Sequence, residues 1–381
     1  MQALGWLAFA AGVVTVLWTW VSVVQTLIVP RGFSSKFLLR VLWAVRAPFL
    51  FTVRRLDSYE SIDRLLVLQG PTSLLILLIT WVALFFLGLS LLLWPFSSSV
   101  KSAFVHAGSA MLTLGFAHPA GGAATVISFV AAATGLFVVA LEIAYLPAIY
   151  GAFNRREVLV TTLQSRAGSP AWGPEILARQ HLVGLLGSMP DLYASWEEWA
   201  ADVAESHTNY PVLVFFRSPH PYRSWVLGLL AVLDSAAMYL ALCPSSAPIE
   251  ARLCLRMGFT CLRDIARTLS LPFDEDPFPD DPIDLSYDEF LAGVERLERV
   301  GFSVERSAEE AWPHFRGWRI NYEQLAYRLA DATFAAPGPW SGTRAHMPGM
   351  AIVPQRPVDR RPGDPTGANP ERAARGKGIG F

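Results

Sequence analysis

A chain of 381 residues, 52% hydrophobic and only 17% charged, has room for two domains and is too apolar for a wholly soluble protein. The net charge of −1 offers nothing global that argues for nucleic-acid binding. Cys243, Cys254 and Cys261 lack CxxC spacing, so they read as small core hydrophobes in a reducing compartment and imply neither a metal site nor a cofactor.

Leu4 to Val29 carries no charged residue and exceeds the roughly 20 residues a helix needs to cross a bilayer. It lacks the basic leader and short apolar core of a cleavable signal peptide. Phe37–Phe51 mixes leucine, tryptophan and phenylalanine with spaced arginines. Two readings stay open here: an amphipathic helix on the inner membrane surface, or a helix packed on the protein's own domain. Leu74–Phe96 is a second uncharged span, and Ala124 to about Tyr150 a third, with Glu142 its one charge.

The flanks orient these spans. Arg31, Lys36, Arg40, Arg46, Arg54, Arg55 and Arg64 lie between the first two, and Arg155 and Arg156 follow the third. Lys101 is the only lysine or arginine between the second and third. Positive charge favours the cytoplasm. The expected arrangement has the N-terminus outside and everything after the third span in the cytoplasm of a multi-pass cell-membrane protein.

Between the second and third spans, Ser97, Ser98 and Ser99 can cap a helix start. About a dozen mostly small and apolar residues come next, too few to cross a bilayer. Then come Thr113, Leu114, Gly115, Phe116 and Ala117, and Pro119 breaks any helix. A short helix, an extended glycine-containing stretch and a return to the same face describe a re-entrant loop. Such backbone is tolerated at membrane depth where it is buried in protein or lines water. An ordinary apolar loop turning at Gly115 is the alternative.

The stretch resembles the pore helix and filter of two-transmembrane potassium channels, whose pattern Thr-Val-Gly-Tyr-Gly-Asp is matched by Thr113, Leu114, Gly115, Phe116, Ala117 and His118. The resemblance covers about Leu74 to Phe153, with the flanking spans as outer and inner helices. It implies that Thr113, Leu114, Gly115 and Phe116 supply ion-facing carbonyls and that chains assemble as a homotetramer passing monovalent cations. Ala117 stands at the family's second glycine, where a left-handed residue costs roughly 1–2 kcal/mol. His118 replaces an aspartate and Leu112 a threonine. In the third span, Gly135 sits where related inner helices place a flexible glycine, with close helix packing as the other role. Glu142 lies two turns further on roughly the same face. It either faces a pore or pairs with an arginine of the 31–64 segment. Pro147 should bend the helix near its end.

Glu157 to Ala335 reads as soluble and helical. Capping boxes are expected at Ser195–Glu198, Ser286–Glu289 and Ser307–Glu310, and helical spacing marks Trp225–Leu242 and Ile249–Leu269. Trp225–Leu242 is barely long enough for a fourth span, and three spans already balance the charge pattern. Nothing matches a nucleotide-binding, HExxH or GxSxG signature. His181, His207, His220 and His314 are scattered, the Asp274–Asp284 loop reads as a solvated linker, and Trp312, His314, Phe315, Trp318 and Tyr322 read as core.

The sequence therefore predicts an all-α protein: a three-span membrane domain with a re-entrant pore helix and loop, a helical cytoplasmic domain and a disordered tail. The divisions are 1–70 (first span and basic segment), 71–156 (pore domain), 157–335 (cytoplasmic domain) and 336–381 (tail). The expected function is an ion-channel-like protein, not an enzyme, working in the lipid bilayer as an oligomer. A non-conducting receptor or scaffold is the alternative. A membrane-bound enzyme would need Glu205, His207, His181 and Asp234 to converge.

Overall fold

The computed structural model describes residues 2–28, 36–118, 121–168 and 170–343. The fold is all-helical, with no strand among the described residues. The helices are α1 (Gln2–Leu27), α2 (Lys36–Val53), α3 (Tyr59–Leu66), α4 (Gln69–Leu93), α5 (Val100–Met111), α6 (Gly122–Ala167), α7 (Gly173–Leu182), α8 (Met189–Asn209), α9 (Trp225–Leu242), α10 (Ile249–Thr268), α11 (Tyr287–Glu298), α12 (Ala308–Arg319) and α13 (Glu323–Thr333).

Four helices are long and apolar enough to cross a membrane, those containing α1, α4, α6 and α9. Burial separates them. The apolar windows of the first three are 33%, 33% and 28% buried by their own protein, whereas that of α9 is 100% buried. A helix enclosed on every side is a core helix. The first three leave the broad apolar faces that a lipid solvent accepts.

The chain forms two compact units that do not match the expected divisions. The first takes the residues up to Val158, with Ala201–Pro221 and Thr260–Phe273; the second takes Leu159–Ala200, Tyr222–Phe259 and the described residues from Asp274 on. The expected boundaries at 70/71 and 156/157 fall inside α4 and α6. Within the expected 157–335 domain, Ala201–Pro221 joins the first unit because its 3₁₀ turn, Pro211–Phe215, is apolar and completely buried there.

In the first unit, α1 packs along α4 through small residues. A Cβ on Gly12 would lie 2.7 Å from the Gly88 carbonyl oxygen, and one on Gly88 2.8 Å from a Val16 methyl. Close backbone approach of this kind drives helix association where lipid removes the hydrophobic force. The buried Trp81 indole donates to Ser22 Oγ at 3.1 Å across the same seam. Thr19 and Thr26 return their hydroxyl hydrogens to carbonyls one turn back, leaving the apolar helix no unsatisfied donor at those positions. Helix α2 packs along α4 and buries Leu38, Leu42, Val45 and Val53. Of the two readings of the 37–51 segment, its contacts favour packing on the protein's own helix. Helix α6 is about 70 Å long at 1.5 Å per residue, so roughly half of it exceeds a 30 Å hydrocarbon core. It continues through Pro147 for about twenty residues rather than ending near it.

In the second unit, α7, α12 and α13 pack around α9. Gly173 lets α7 seat closely, since a Cβ there would lie 2.7 Å from Asp234 Cβ. The capping boxes at Ser286–Glu289 and Ser307–Glu310 are present. Ser195 is no cap: it lies inside α8 and donates to the Asp191 carbonyl, because α8 begins six residues earlier at Met189. Phe315 and Tyr322 are buried as core residues, while His314 is exposed. The start of the expected disordered tail is ordered instead. Ala336, Trp340 and Ser341 are buried, and the Trp340 indole packs edge-on against Trp172 and Phe315. The rest of the tail lies outside the described residues.

One buried cation organises this unit. The fully buried Arg319 donates to Asp234 at 2.5 Å, to Glu323 at 2.7 Å, and to Tyr327 Oη and the Trp340 carbonyl at 2.8 Å each. Tyr322 donates to the same Asp234 oxygen at 2.9 Å. Removing one partner of a buried pair strands the other charge and costs about 3–5 kcal/mol. Arg319→Met should therefore lower the thermal midpoint of the purified protein markedly, whereas Arg267→Met, at an exposed pair, should leave it nearly unchanged.

Candidate functional site

The candidate site is the segment from Ser97 to His118 with the part of α6 that packs on it. Ser99 caps α5, its hydroxyl accepting the Ser102 N–H at 3.2 Å. Helix α5 packs against α4, with Phe104 edge-on to Phe86 at 5.4 Å and Gly108 over the Phe86 ring. Ala103, Ala107, Ser109 and Met111 face inward.

The loop after α5 is organised by Ser109, a residue the sequence does not single out. The buried Ser109 accepts the Leu114 N–H at 2.9 Å and the Gly115 N–H at 3.2 Å on its carbonyl. Its hydroxyl accepts the Ala117 N–H at 3.0 Å. The Thr113 N–H goes to the Ala110 carbonyl at 3.0 Å. The only signal in the sequence is a hydroxyl on the otherwise apolar inward face of α5. Its register, four residues before Thr113, is the distance over which a turn folds back.

Four of the five N–H groups from Thr113 to Ala117 are thus turned onto the end of α5. Among the described residues, no donor reaches the carbonyls of Thr113, Leu114, Gly115, Phe116 or Ala117. The side chains of Leu112, Leu114 and Phe116 are 58%, 60% and 63% exposed within the single chain.

The backbone departs from expectation at one point. The family pattern places left-handed geometry at Gly115 and, with a penalty, at Ala117. Gly115 adopts it at φ +70°, but the second such residue is Thr113 at φ +55°, and Ala117 is not left-handed. The Ser109 hydroxyl explains the difference, because it binds the Ala117 N–H and draws that end of the loop back to the helix. The strain lies on β-branched Thr113, for which positive φ is a true outlier.

Gly135 is a packing residue here. A Cβ on it would sit 2.0 Å from the Met111 carbonyl oxygen, so only glycine lets α6 pass the end of α5. No family model, curated protein or solved structure matches this chain. Any function must therefore be argued from the arrangement itself.

Glu142 is half-buried on α6 and has no ion pair among the described residues. Of its two readings, pairing with an arginine of the 31–64 segment is therefore not formed with any described arginine of that segment. Pro119 lies outside the described residues. Glu205 and His207 belong to the first unit and His181 and Asp234 to the second, each with its own partners. Among the described residues, no three His, Cys, Asp or Glu side chains are grouped to hold a metal.

A methyl at residue 135 must displace backbone, and overpacking of this kind costs about 1–3 kcal/mol. Gly135→Ala should lower the melting temperature of the detergent-solubilised protein. Gly122→Ala, which meets open space at the start of α6, should not.

Proposed function

We propose that residues 74–153 form a channel-like pore for monovalent cations, completed by symmetric assembly of several chains, four by the resemblance. On this reading α1, α4 and α6 are the spans, α5 is re-entrant, the N-terminus lies outside and the chain after α6 is cytoplasmic. The observation that carries the reading is the asymmetry at 113–117, where four of the five donors are satisfied and, among the described residues, none of the five carbonyls is. An unpaired carbonyl in hydrocarbon costs several kcal/mol. A row of them facing a water-filled axis instead replaces the hydration shell of a cation. One chain supplies one such row and cannot enclose a path, so the proposal requires an oligomer.

The chain's own residues take definite roles. Thr113, Leu114, Gly115 and Phe116 present carbonyls, and Ser109 positions them. Leu114 and Phe116 wedge against neighbouring chains, and Gly135 seats α5 on α6. Glu142 raises cation concentration on the inner side of the path. Because Ala117 is not left-handed, the carbonyl row is shorter than the family pattern, and weak selectivity is expected.

Cation flux into liposomes of purified protein tests this. Wild type should conduct, Gly115→Asp should abolish flux, Ser109→Ala should reduce it several-fold in folded protein, and Ala117→Gly should raise potassium selectivity. Inserted, folded protein that passes no cation as wild type or as Ala117→Gly would contradict the proposal.

A further inference from the structure

Three consecutive side chains in the first unit reach three sets of helices. Phe215 packs edge-on against Trp43 of α2, with ring centroids 6.1 Å apart. Phe216 lies under the first turn of α4, where a Cβ on Gly70 would sit 2.5 Å from its ring, and it also meets Tyr150 and Phe153 of α6 at 5.9 and 5.6 Å. Arg217 pairs with Asp63 and donates to Tyr59 Oη, both on α3.

A single guanidinium holds this run to α6. Arg156 is completely buried and donates to the carbonyls of Leu213 at 2.9 Å and Phe216 at 2.7 Å. It also reaches Glu157 at 3.0 Å and His207 Nε2 at 3.0 Å. Burial, with the Arg156 charge adding to it, holds His207 well below the usual imidazole range, and because a guanidinium can only donate, Nε2 is the nitrogen that accepts. On the other side of the ring, Nδ1 lies 3.1 Å from Ser206 Oγ. Arg155, the residue before it, makes an exposed pair with Asp202. The basic flank of the third span is thus two residues with opposite fates.

We propose that residues 207–217 act as a latch, a positioning segment that fixes the inner part of α6 against α3 and the start of α4. Its functional consequence rests on the pore reading: α6 contacts the end of α5 at Gly135, so movement of its inner part is movement at the proposed pore. The latch is suited to two discrete states rather than graded strain. The Phe216 ring either occupies the side-chain-free face of Gly70 or leaves it, and Arg156 either keeps both carbonyls or loses them together.

Hydrogen exchange of the full-length protein in lipid nanodiscs tests the latch without requiring conduction. Phe216→Ala should speed exchange about tenfold or more in 59–72 and 145–158 together with 207–217, while 225–242 stays protected. Phe216→Leu, which restores an apolar wedge, should bring those segments back to near wild-type rates. Acceleration confined to 207–217, or equal across 225–242, would overturn the latch. Flux supplies a readout that a merely structural role would not move: Phe216→Ala should change its magnitude and leave the potassium-to-sodium ratio unaltered. An altered ratio would also overturn the latch. Absence of flux in wild type would instead count against the pore reading, and the exchange pattern would still decide the latch.

Discussion

The five carbonyls from Thr113 to Ala117 have no hydrogen-bond donor among the described residues, and much of the architecture around them can be understood from that constraint. Peptide donors and acceptors come in equal number, so a loop that turns four of its five N–H groups onto the end of one helix must leave its oxygens elsewhere. Water, an ion, a second chain or a residue outside the described ones is left to meet them. Helix α5 can present the loop this way because it is short, capped by Ser99 and built of small residues that let it lie close to α4. Gly135 supplies the remaining clearance, so that α6 passes the carbonyl end of α5 without a side chain intervening.

Buried arginines are the second theme. Arg156 and Arg319 are both completely buried, and each surrounds its guanidinium with carbonyl and carboxylate oxygens. Such sites are costly to form and more costly to break. They fix register where apolar packing alone would tolerate sliding. In the first unit the fixed element is α6, and in the second it is α12 against α9.

The coarse fold was legible because long uncharged runs have few alternatives. Leu4–Val29, Leu74–Phe96 and Trp225–Leu242 correspond closely to α1, α4 with its adjoining turn, and α9. The N-cap at Ser99 and the boxes at Ser286 and Ser307 were local, so pattern was enough. Ser195 misled because the same box pattern also occurs inside a helix. The unit boundaries were not legible, since they depend on where Arg156 and Phe216 find partners far along the chain, about sixty residues away for the bond between these two. Composition also misplaced the start of the tail: Pro337, Gly338 and Pro339 look like linker, yet Trp340 packs beside them. At the candidate site the sequence named the loop but not Ser109, whose importance lies in backbone bonds that no residue pattern encodes.

The most direct test of the central claim is to watch the carbonyls themselves. Protein labelled with carbonyl ¹³C at Thr113, Leu114, Gly115 and Phe116 can be monitored by solid-state NMR in bilayers, exchanging potassium for N-methylglucamine. If these oxygens coordinate cations, their resonances should move together with ion identity while those of Ala103 and Ala107 stay fixed. Resonances indifferent to the cation would contradict a carbonyl-lined ion path through this segment.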